Sequence, residues 1–395
     1  MFDQKIDRSG SGSLKGTFLS PETVAAGVPG YWGAEFEFPT CPAFSEGVIR
    51  CAQSGYYPFT LQTDAYNAAV CWWMENVRRW TVEKDWIVPT HGTIFSLATC
   101  IRMTLRENER LILLQPGYSR YEQAATRLHR ACTHVHMAYD PETAVWRLDL
   151  KALEAAMADP ANRLLAFSNP NNPTGLILTD DELRAIDALS RKYHVTVFCD
   201  EIFAEVVWDG AHVTPYSRIA QSNSPAVTCT SLGKCMSLTG VNHANVYIRN
   251  EDLRARFIAQ RYADHYGSID PMLYAGLISA YSPAGKAFVD ELCGVIRRNY
   301  TYFKQNLERI LPGARVTPCK AAFLAWVDFS GTSLSEAALN ALLEKALFAG
   351  DPGSEYHVSN FFARYSIACP FDMLERSMAL LEKTLAKRSE KGEKP

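Results

Sequence analysis

Short apolar runs alternate with amphipathic stretches through the middle of the chain. The stretch TDDELRAIDALSRKYH begins with Thr179 and has Glu182 three residues later, which is the spacing of a helix capping box. Apolar residues then follow at near-helical spacing. Strand-like runs stand on both sides of this predicted helix: ERLILLQPGY, RLLAFS, HVTVFCDE, AVTCTS and HANVYIRN. This order predicts βαβ units and a mostly parallel sheet flanked by helices, an α/β fold.

The pattern changes from about residue 285 onward. AFVDELCGVIRRNYTYFKQNLERIL predicts a long helix, AAFLAWVDF and NFFARYSIACP predict strands, and FDMLERSMALLEKTLAK predicts a last amphipathic helix. We therefore predict three parts. Residues 1–45 form an N-terminal arm and part of a small domain, residues 46–284 form a large domain, and residues 285–395 form a smaller α+β domain.

Composition and charge give no reason to expect a nucleic-acid or membrane partner. The 395 residues carry a formal net charge of −3, whereas those partners call for a basic surface. MFDQKIDRSGSG lacks the apolar core of a signal peptide, and no apolar run is long enough to span a bilayer. The eleven cysteines form no CxxC pair and no Cys/His cluster at zinc spacing. We expect reduced thiols, a cytoplasmic protein and no metal site.

Polar groups follow the predicted strands at the place where parallel sheets bind ligands. In such sheets the ligand lies beyond the carboxyl ends of the strands. The candidates there are an aromatic ring, an amide, a carboxylate, an amine with a nearby hydroxyl and a Gly-Thr turn ahead of a helix: Tyr118, Asn172, Asp200, Lys234, Ser231, Gly92 and Thr93. One edge of the sheet is therefore predicted to hold a small-molecule site.

Pyridoxal phosphate (PLP) is the cofactor that best fits this set. PLP needs a lysine for a Schiff base and a carboxylate that keeps its pyridine nitrogen protonated, roles that Lys234 and Asp200 can fill. Its ring benefits from a stacked aromatic group such as Tyr118, and Asn172 can hydrogen-bond its phenolic oxygen. Donors for its phosphate are best placed at a helix N-terminus, and the candidates are Gly92, Thr93 and Ser231.

The ordered motifs resemble those of fold-type I PLP enzymes, the aminotransferase class I/II superfamily. NPNNPTG, VTVFCDEIF and TSLGKCMSLTG carry this resemblance. Within that superfamily the chain is most similar to the cystathionine β-lyase-like C–S lyases, on these stretches: FDQKIDRSGSGSLKGTF, YWGAEFEFPTCPA, DEIFAEVVWDGAH, AAFLAWVDF and FFARYSIACP. The similarity runs over nearly the whole chain. It implies a large domain with a mostly parallel central sheet, a smaller α+β C-terminal domain, and a homodimer with sites at the interface.

The resemblance also implies roles for particular residues. Lys234 would shuttle a proton besides bonding to PLP, and Tyr118 would serve in proton transfer. Arg364 in FFARYSIACP would bind the substrate carboxylate with its bidentate fork. Trp32 is a further candidate substrate contact, with packing in the core or at an interface as the alternative.

Several positions depart from the family pattern. Phe203 stands where relatives often have Tyr or His, and a phenyl ring cannot donate a hydrogen bond to the cofactor. The other departures are Pro58-Phe59 in place of a Gly-Tyr pair, Glu35 and Glu37 for two aspartates, Phe371 for an arginine, and Asn242 for a phosphate-binding arginine. These changes favour a specialised member that acts on an unusual amino acid or cysteine conjugate.

The leading hypothesis is a PLP-dependent C–S β-lyase. It would cleave an S-substituted cysteine, such as cystathionine or a cysteine conjugate, to a thiol, pyruvate and ammonia. Transamination is one alternative, and decarboxylating or oxidative deamination of a cysteine conjugate is another. A regulatory binding protein on the same fold is the hypothesis from a different class, and the presence of Lys234, Asp200 and Asn172 argues against it.

Overall fold

The computed structural model describes residues 1–390 and confirms the predicted α/β fold. Its strands are β1 Ile87–Thr90, β2 Arg110–Gln115, β3 Ala131–His136, β4 Ala138–Asp140, β5 Val145–Arg147, β6 Asn162–Ser168, β7 Thr196–Asp200, β8 Ala226–Thr230, β9 Ala244–Tyr247, β10 Arg315–Val316, β11 Leu324–Asp328, β12 Asp351–Pro352 and β13 Phe362–Ser366. Its helices are α1 Leu14–Phe18, α2 Pro21–Ala26, α3 Pro42–Ser54, α4 Asp64–Asn76, α5 Thr93–Thr104, α6 Ser119–Arg127, α7 Leu150–Ala158, α8 Asp180–Tyr193, α9 Tyr216–Ile219, α10 Glu251–Ala263, α11 Pro271–Ala280, α12 Pro283–Ile310, α13 Glu336–Lys345 and α14 Phe371–Glu390. Short 3-10 turns lie at Lys84–Trp86, Leu232–Lys234 and Gly353–Tyr356.

The central sheet has seven strands in the order β1-β9-β8-β7-β6-β2-β3. Strands β8, β7, β6, β2 and β3 are mutually parallel, whereas β9 runs antiparallel to both of its neighbours. The prediction of a mostly parallel sheet is therefore confirmed. Because the parallel strands share one direction, their carboxyl ends all meet at the same edge.

Alternation of side chains along β2 explains why helices cover both faces of this sheet. Leu111 and Leu113 belong to the apolar cluster that α5 and α10 complete on one face. Ile112 and Leu114 belong to the cluster that α7 and α8 complete on the other. Successive residues of a strand point to opposite faces, so a continuous apolar run predicts a strand buried on both sides.

The predicted capping box is present at the start of α8. The Thr179 hydroxyl accepts a hydrogen bond from the Glu182 backbone N–H at 3.2 Å. The Glu182 carboxylate in return accepts one from the Thr179 backbone N–H at 2.8 Å. Two of the N–H groups that a helix start leaves without a backbone partner are thereby satisfied.

A second, antiparallel sheet forms the core of the C-terminal part. Its strand order is β10-β11-β13-β12, and the long helix α12 and the last helix α14 pack together next to it. The N-terminal segment contacts this part, because Ser366 N–H bonds to the Tyr31 carbonyl and Glu37 N–H bonds to the Ala368 carbonyl. The domain division at residues 45 and 284 stays a prediction.

Within residues 1–390, no helix combines the length and the apolar character that crossing a membrane requires.

Candidate active site

A cavity of about 460 Å³ opens at the carboxyl-end edge of the central sheet. All the side chains predicted from the sequence to form a site line it: Trp32, Gly92, Thr93, Tyr118, Asn172, Asp200, Ser231, Lys234 and Arg364. The strands that end at this edge, β1, β2, β6, β7 and β8, bring seven of these together, and the antiparallel sheet and the N-terminal segment add Arg364 and Trp32. Their individual roles stay predictions, but their convergence is a property of the fold.

Lys234 ends the 3-10 turn that follows β8 directly. Its Nζ donates a hydrogen bond to the Ala34 carbonyl at 2.5 Å. Burial, together with the nearby Arg364 guanidinium, lowers the pKa of Lys234 to about 7. Near neutral pH a large fraction of this amine is uncharged, and an uncharged amine can act as a nucleophile or a base. The side chain is therefore not an ordinary solvated surface charge.

Asp200 is the last residue of β7 and is buried. Its Oδ2 accepts a hydrogen bond from the Tyr121 hydroxyl at 2.8 Å, and its Oδ1 accepts one from the Ile202 backbone N–H at 3.1 Å. Burial raises the pKa of Asp200 to about 6, against the effect of both hydrogen bonds. A buried carboxylate of this kind is suited to a cationic partner placed beside it.

Arg364 of β13 reaches across the cavity to the loop that follows β6. Its Nη1 donates to the Asn172 side-chain oxygen at 2.8 Å. Its Nε and Nη2 donate to Asp351 Oδ2 at 3.0 and 2.5 Å. Asp351 in turn accepts hydrogen bonds from the Gly33 backbone N–H. The guanidinium is thus held in one orientation by both of its neighbours and is fully buried with them.

The turn ahead of α5 provides a place for an anion. Gly92 has φ +106°, a conformation that residues with a side chain rarely adopt, and the space where a Cβ would stand is open. It caps α5, whose first backbone N–H groups have no partner within the helix. Ser231, after β8, lies on the same cavity. A helix N-terminus with a close backbone approach is a ready anion site.

Tyr118 and Trp32 supply aromatic surface to the cavity. Tyr118 caps α6, and its ring meets the Tyr121 ring edge-on with a centroid distance of 5.5 Å. Burial raises the pKa of Tyr118, so its hydroxyl stays protonated at neutral pH. Trp32 is half-buried and meets the exposed Phe18 ring edge-on at 5.3 Å. A substrate contact by Trp32 remains a prediction.

The departures from the family pattern lie in different surroundings. Phe203 is buried, lines the cavity and packs against Phe323 at a centroid distance of 5.4 Å, and Asn242 lines the cavity too. Phe371 instead packs against Tyr302, outside the cavity. Phe59 is 97% exposed. Glu35, another of the departures, lines the cavity as well, so Phe203, Asn242 and Glu35 are the departures placed to act directly on a ligand there.

Four charged residues of the N-terminal segment form a network beside Lys234. Arg8 pairs with Glu35 and, at 3.2 Å, with Glu37, and Lys15 pairs with Glu37 at 2.9 Å. The glutamates that replace the expected aspartates therefore keep cationic partners. The network holds the backbone of residues 34–37, which includes the carbonyl that Lys234 contacts.

Sequence reasoning missed two residues that position the predicted ones. Tyr121 holds Asp200, and Asp351 holds Arg364. Tyr121 stands three residues after Tyr118, a helical spacing that offers a weak signal, but no helix was predicted there. Asp351 belongs to β12, which has only two residues and leaves no periodic pattern to read.

Comparisons with known proteins agree with this geometry. The sequence model of the family described as "Aminotransferase class I and II" matches residues 50–379. The cystathionine beta-lyase PatB of Bacillus subtilis (strain 168) is 24% identical over 391 residues, which cover 98% of this chain and 100% of that protein. The protein MalY of Escherichia coli (strain K12) is 24% identical over 382 residues, which cover 96% of this chain and 97% of that protein.

Among solved structures, cystalysin from Treponema denticola, which contains a pyridoxal 5'-phosphate cofactor, has a TM-score of 0.90 and 24% identity, covering 98% of this chain and 99% of that one. This likeness confirms the fold-type I architecture. The family match spans most of the chain and includes every strand that borders the cavity, whereas the lining residues of the N-terminal segment lie outside it. The protein therefore belongs to the class I and II aminotransferase family.

Proposed function

We propose that this chain binds PLP and acts as a C–S β-lyase on S-substituted cysteines, including cysteine conjugates. The observation that carries the proposal is one cavity that joins a buried amine of lowered pKa, a buried carboxylate and an oriented guanidinium. The names of relatives support the reaction type, since PatB and a Corynebacterium glutamicum relative are both named cystathionine beta-lyase.

The residues of the cavity fit PLP. Asp200 is buried with a raised pKa and forms no salt bridge within the described residues, although the Lys234 charge acts on it, and a protonated pyridine nitrogen would supply a directly paired cation. The open space at Gly92 and the start of α5 suit the phosphate. Tyr118 offers a ring for stacking, and Asn172, Thr93 and Ser231 offer hydrogen-bonding groups on the same cavity.

When bound, PLP supplies an electron-accepting ring that stabilises negative charge on the α-carbon of an amino acid. Arg364 binds the substrate carboxylate: its bonds to Asp351 and Asn172 use three of its five N–H groups, which leaves two for the substrate among the described contacts. Lys234 Nζ accepts the proton from the α-carbon, because its lowered pKa makes it a base near neutral pH. The Tyr118 hydroxyl remains protonated and can donate a proton to the departing sulfur.

The overall reaction balances without an oxidant or a reductant. The bond between the β-carbon and sulfur breaks, the sulfur keeps the electron pair, and it leaves as a thiol after taking up one proton. One water molecule is consumed as the remaining three-carbon fragment is released as pyruvate and ammonium.

We further propose that the chain works as a homodimer in the cytoplasm. The segment from residue 56 to residue 61 exposes several large apolar side chains, including Tyr56 at 71%, Phe59 at 97% and Leu61 at 65%. Grouped exposure of this kind is typical of an interface. The eleven cysteines are unbridged, which agrees with a reducing compartment.

The test is a product assay on the PLP-loaded protein with L-cystathionine and a series of S-alkyl cysteines. We expect thiol and pyruvate in equal amounts and no carbon dioxide. Lys234→Ala should abolish the reaction, whereas Lys151→Ala, at an exposed position of α7, should not change it. A carbonyl product that still carries the sulfur would refute the β-lyase proposal. Carbon dioxide release would then indicate decarboxylating deamination, and its absence transamination.

A further inference from the structure

Three side chains that stand far apart in the sequence converge beside the candidate active site. They are Glu122 of α6, His134 of β3, and His357, which follows the 3-10 turn Gly353–Tyr356. One nitrogen or oxygen atom from each lies within 4.8 Å of the other two. We propose that Glu122, His134 and His357 form a binding site for a divalent first-row transition metal ion, Zn²⁺ above all.

The distances among the three groups suit such an ion. His357 Nε2 lies 2.7 Å from Glu122 Oε2, and His134 Nε2 lies 3.4 Å from Glu122 Oε1. The two imidazole rings have a centroid distance of 4.4 Å. Tetrahedral bonds of about 2.0–2.2 Å place neighbouring ligand atoms about 3.4 Å apart. Small side-chain rotations therefore bring all three atoms to bonding distance of one ion.

The surroundings of the His134 side chain favour a bound metal ion over a cluster held by hydrogen bonds alone. Glu122 and His357 can satisfy each other as a charge-assisted pair. His134 Nε2, however, is shielded from solvent, and its nearest polar neighbour, Glu122 Oε1 at 3.4 Å, lies too far away or too poorly aligned for a good hydrogen bond among the described residues. A shielded polar atom without a well-placed partner is unfavourable. A cation bound by all three side chains would give this nitrogen its partner.

The donor set and its exposure define the class of ion. Two imidazoles and one carboxylate suit Zn²⁺ and its first-row neighbours, whereas Ca²⁺ and Mg²⁺ prefer oxygen ligands. The three side chains are 27–32% exposed, so an ion can enter from solvent and water can complete its coordination. The single carboxylate offsets one of the two charges of the ion.

The position of the site gives it a connection to the cavity. Helix α6 begins directly after Tyr118, and His357 directly follows Tyr356, and both tyrosines line the cavity. A bound ion would tie the turn Gly353–Tyr356 of the C-terminal part to α6 and β3 of the central sheet. We therefore expect the ion to stabilise the rim of the cavity.

The experiment measures metal binding rather than activity, so its result does not depend on the proposed β-lyase function. The full chain, with its cofactor and without a histidine tag, is treated with chelator, desalted and titrated with Zn²⁺ by calorimetry and with Co²⁺ by visible absorption. We expect one ion per chain. His134→Gln, Glu122→Gln and His357→Asn should each weaken binding by about tenfold or more. His212→Gln removes a half-buried histidine outside the cluster and should leave binding unchanged.

Two results would overturn the proposal: substoichiometric binding by the unaltered chain, or stoichiometric binding that the three ligand variants leave intact. Circular dichroism of each variant separates loss of a ligand from loss of the fold. If a variant does not fold, X-ray absorption of the Zn²⁺-loaded unaltered chain identifies the ligands of the ion directly. Two imidazole ligands support the site, and one or none refutes it.

Discussion

Two walls of the cavity differ in how the chain builds them. The sheet-edge wall consists of Tyr118, Asn172, Asp200 and Lys234, which follow or end β2, β6, β7 and β8 in turn. The small-domain wall consists of Asp351, Glu355, Tyr356 and Arg364, which come from β12, β13 and the turn between them. The first wall depends on strands that lie side by side and share one direction. The second depends on how an antiparallel sheet packs against that edge.

The two walls also differ in their chemistry. The sheet-edge wall holds the amine and the carboxylate whose pKa values are moved toward neutral pH, Lys234 to about 7 and Asp200 to about 6. The small-domain wall holds a guanidinium fixed by an ion pair, a group suited to orienting an anionic ligand. One hydrogen bond, from Arg364 to Asn172, joins the walls. The comparison predicts that changes in the first wall alter kcat and changes in the second alter KM.

Among changes that leave Lys234 in place, the largest effect is expected from Asp200→Asn in the sheet-edge wall. A neutral amide cannot offset the positive charge of a protonated pyridine ring, so we expect kcat to fall by about 10²–10³-fold or more. Steady-state kinetics at saturating PLP measure this. Asp187→Asn is the matched control, because Asp187 is also buried but lies on α8 outside the cavity. A fall in kcat of less than tenfold would show that the Asp200 carboxylate does not offset the charge of the pyridine ring.

Arg364→Lys tests the small-domain wall. Lysine keeps the charge but loses the planar fork that binds a carboxylate through two N–H groups, so we expect KM to rise by about 10–100-fold with a smaller change in kcat. Arg309→Lys is the control, since Arg309 binds Glu382 through two nitrogens at the surface. A fall in kcat alone, with KM unchanged, would contradict the division between the walls.

The pH dependence of PLP binding tests whether one wall acts on the other. Only the neutral Lys234 amine can attack the PLP aldehyde. Because its pKa is lowered to about 7 in the free protein, the binding rate should rise about tenfold from pH 6 to pH 8 and then level off. Arg364→Gln removes a nearby cation and should raise the pKa, which moves the midpoint to higher pH. Stopped-flow absorbance measures both rates.

An ordinary exposed lysine, with a pKa near 10.5, would instead give a rate that keeps rising above pH 8. Such a profile would contradict the lowered pKa of Lys234. An unshifted midpoint in Arg364→Gln would show that the guanidinium of the small-domain wall does not contribute to that pKa.

The smallest effect is expected from Tyr121→Phe. This change removes the hydrogen bond to Asp200 Oδ2 and so raises the pKa of Asp200 further, because that bond favours the charged form. We expect kcat to fall by about threefold to tenfold, the effect of one such hydrogen bond, and more steeply at low pH. Tyr193→Phe is the control, as it removes a hydroxyl bonded to a carboxylate at the surface. If the two changes lower kcat equally, the Tyr121 hydroxyl does not act on the reaction through Asp200.

Most of the sheet-edge wall was predictable because its determinants are local. An apolar run shows where each strand lies, and the polar residue at its end shows what reaches the edge, as for Asp200 after VTVFC. The capping box of α8 was predictable for the same reason, since both partners stand within four residues. The individual roles of these residues in catalysis stay predictions.

The contacts that hold the small-domain wall in place were not predictable from the sequence. Asp351 contacts Gly33, a residue 318 positions earlier, and β12 is too short for any periodic pattern. Helix α6, which carries Tyr121 and Glu122, was also not predicted, nor were α3, α4, α10, α11 and α13, which line no part of the cavity. The expectation of no metal site came from cysteine and histidine spacing, which cannot reveal ligands from separate elements.

The sequence by itself determined the alternation of strands and helices, the family, and the amine and carboxylate that reach the sheet edge. The alternation and the edge groups follow from side-chain periodicity and from residues adjacent to strand ends, both of which are short-range. The family follows instead from the resemblance of the ordered motifs. The tertiary structure alone decided that Tyr121 holds Asp200, that Asp351 holds Arg364, and that Glu122, His134 and His357 meet. Those contacts depend on how helices and a second sheet pack against the first, and packing geometry is set by the whole core rather than by any short stretch of chain.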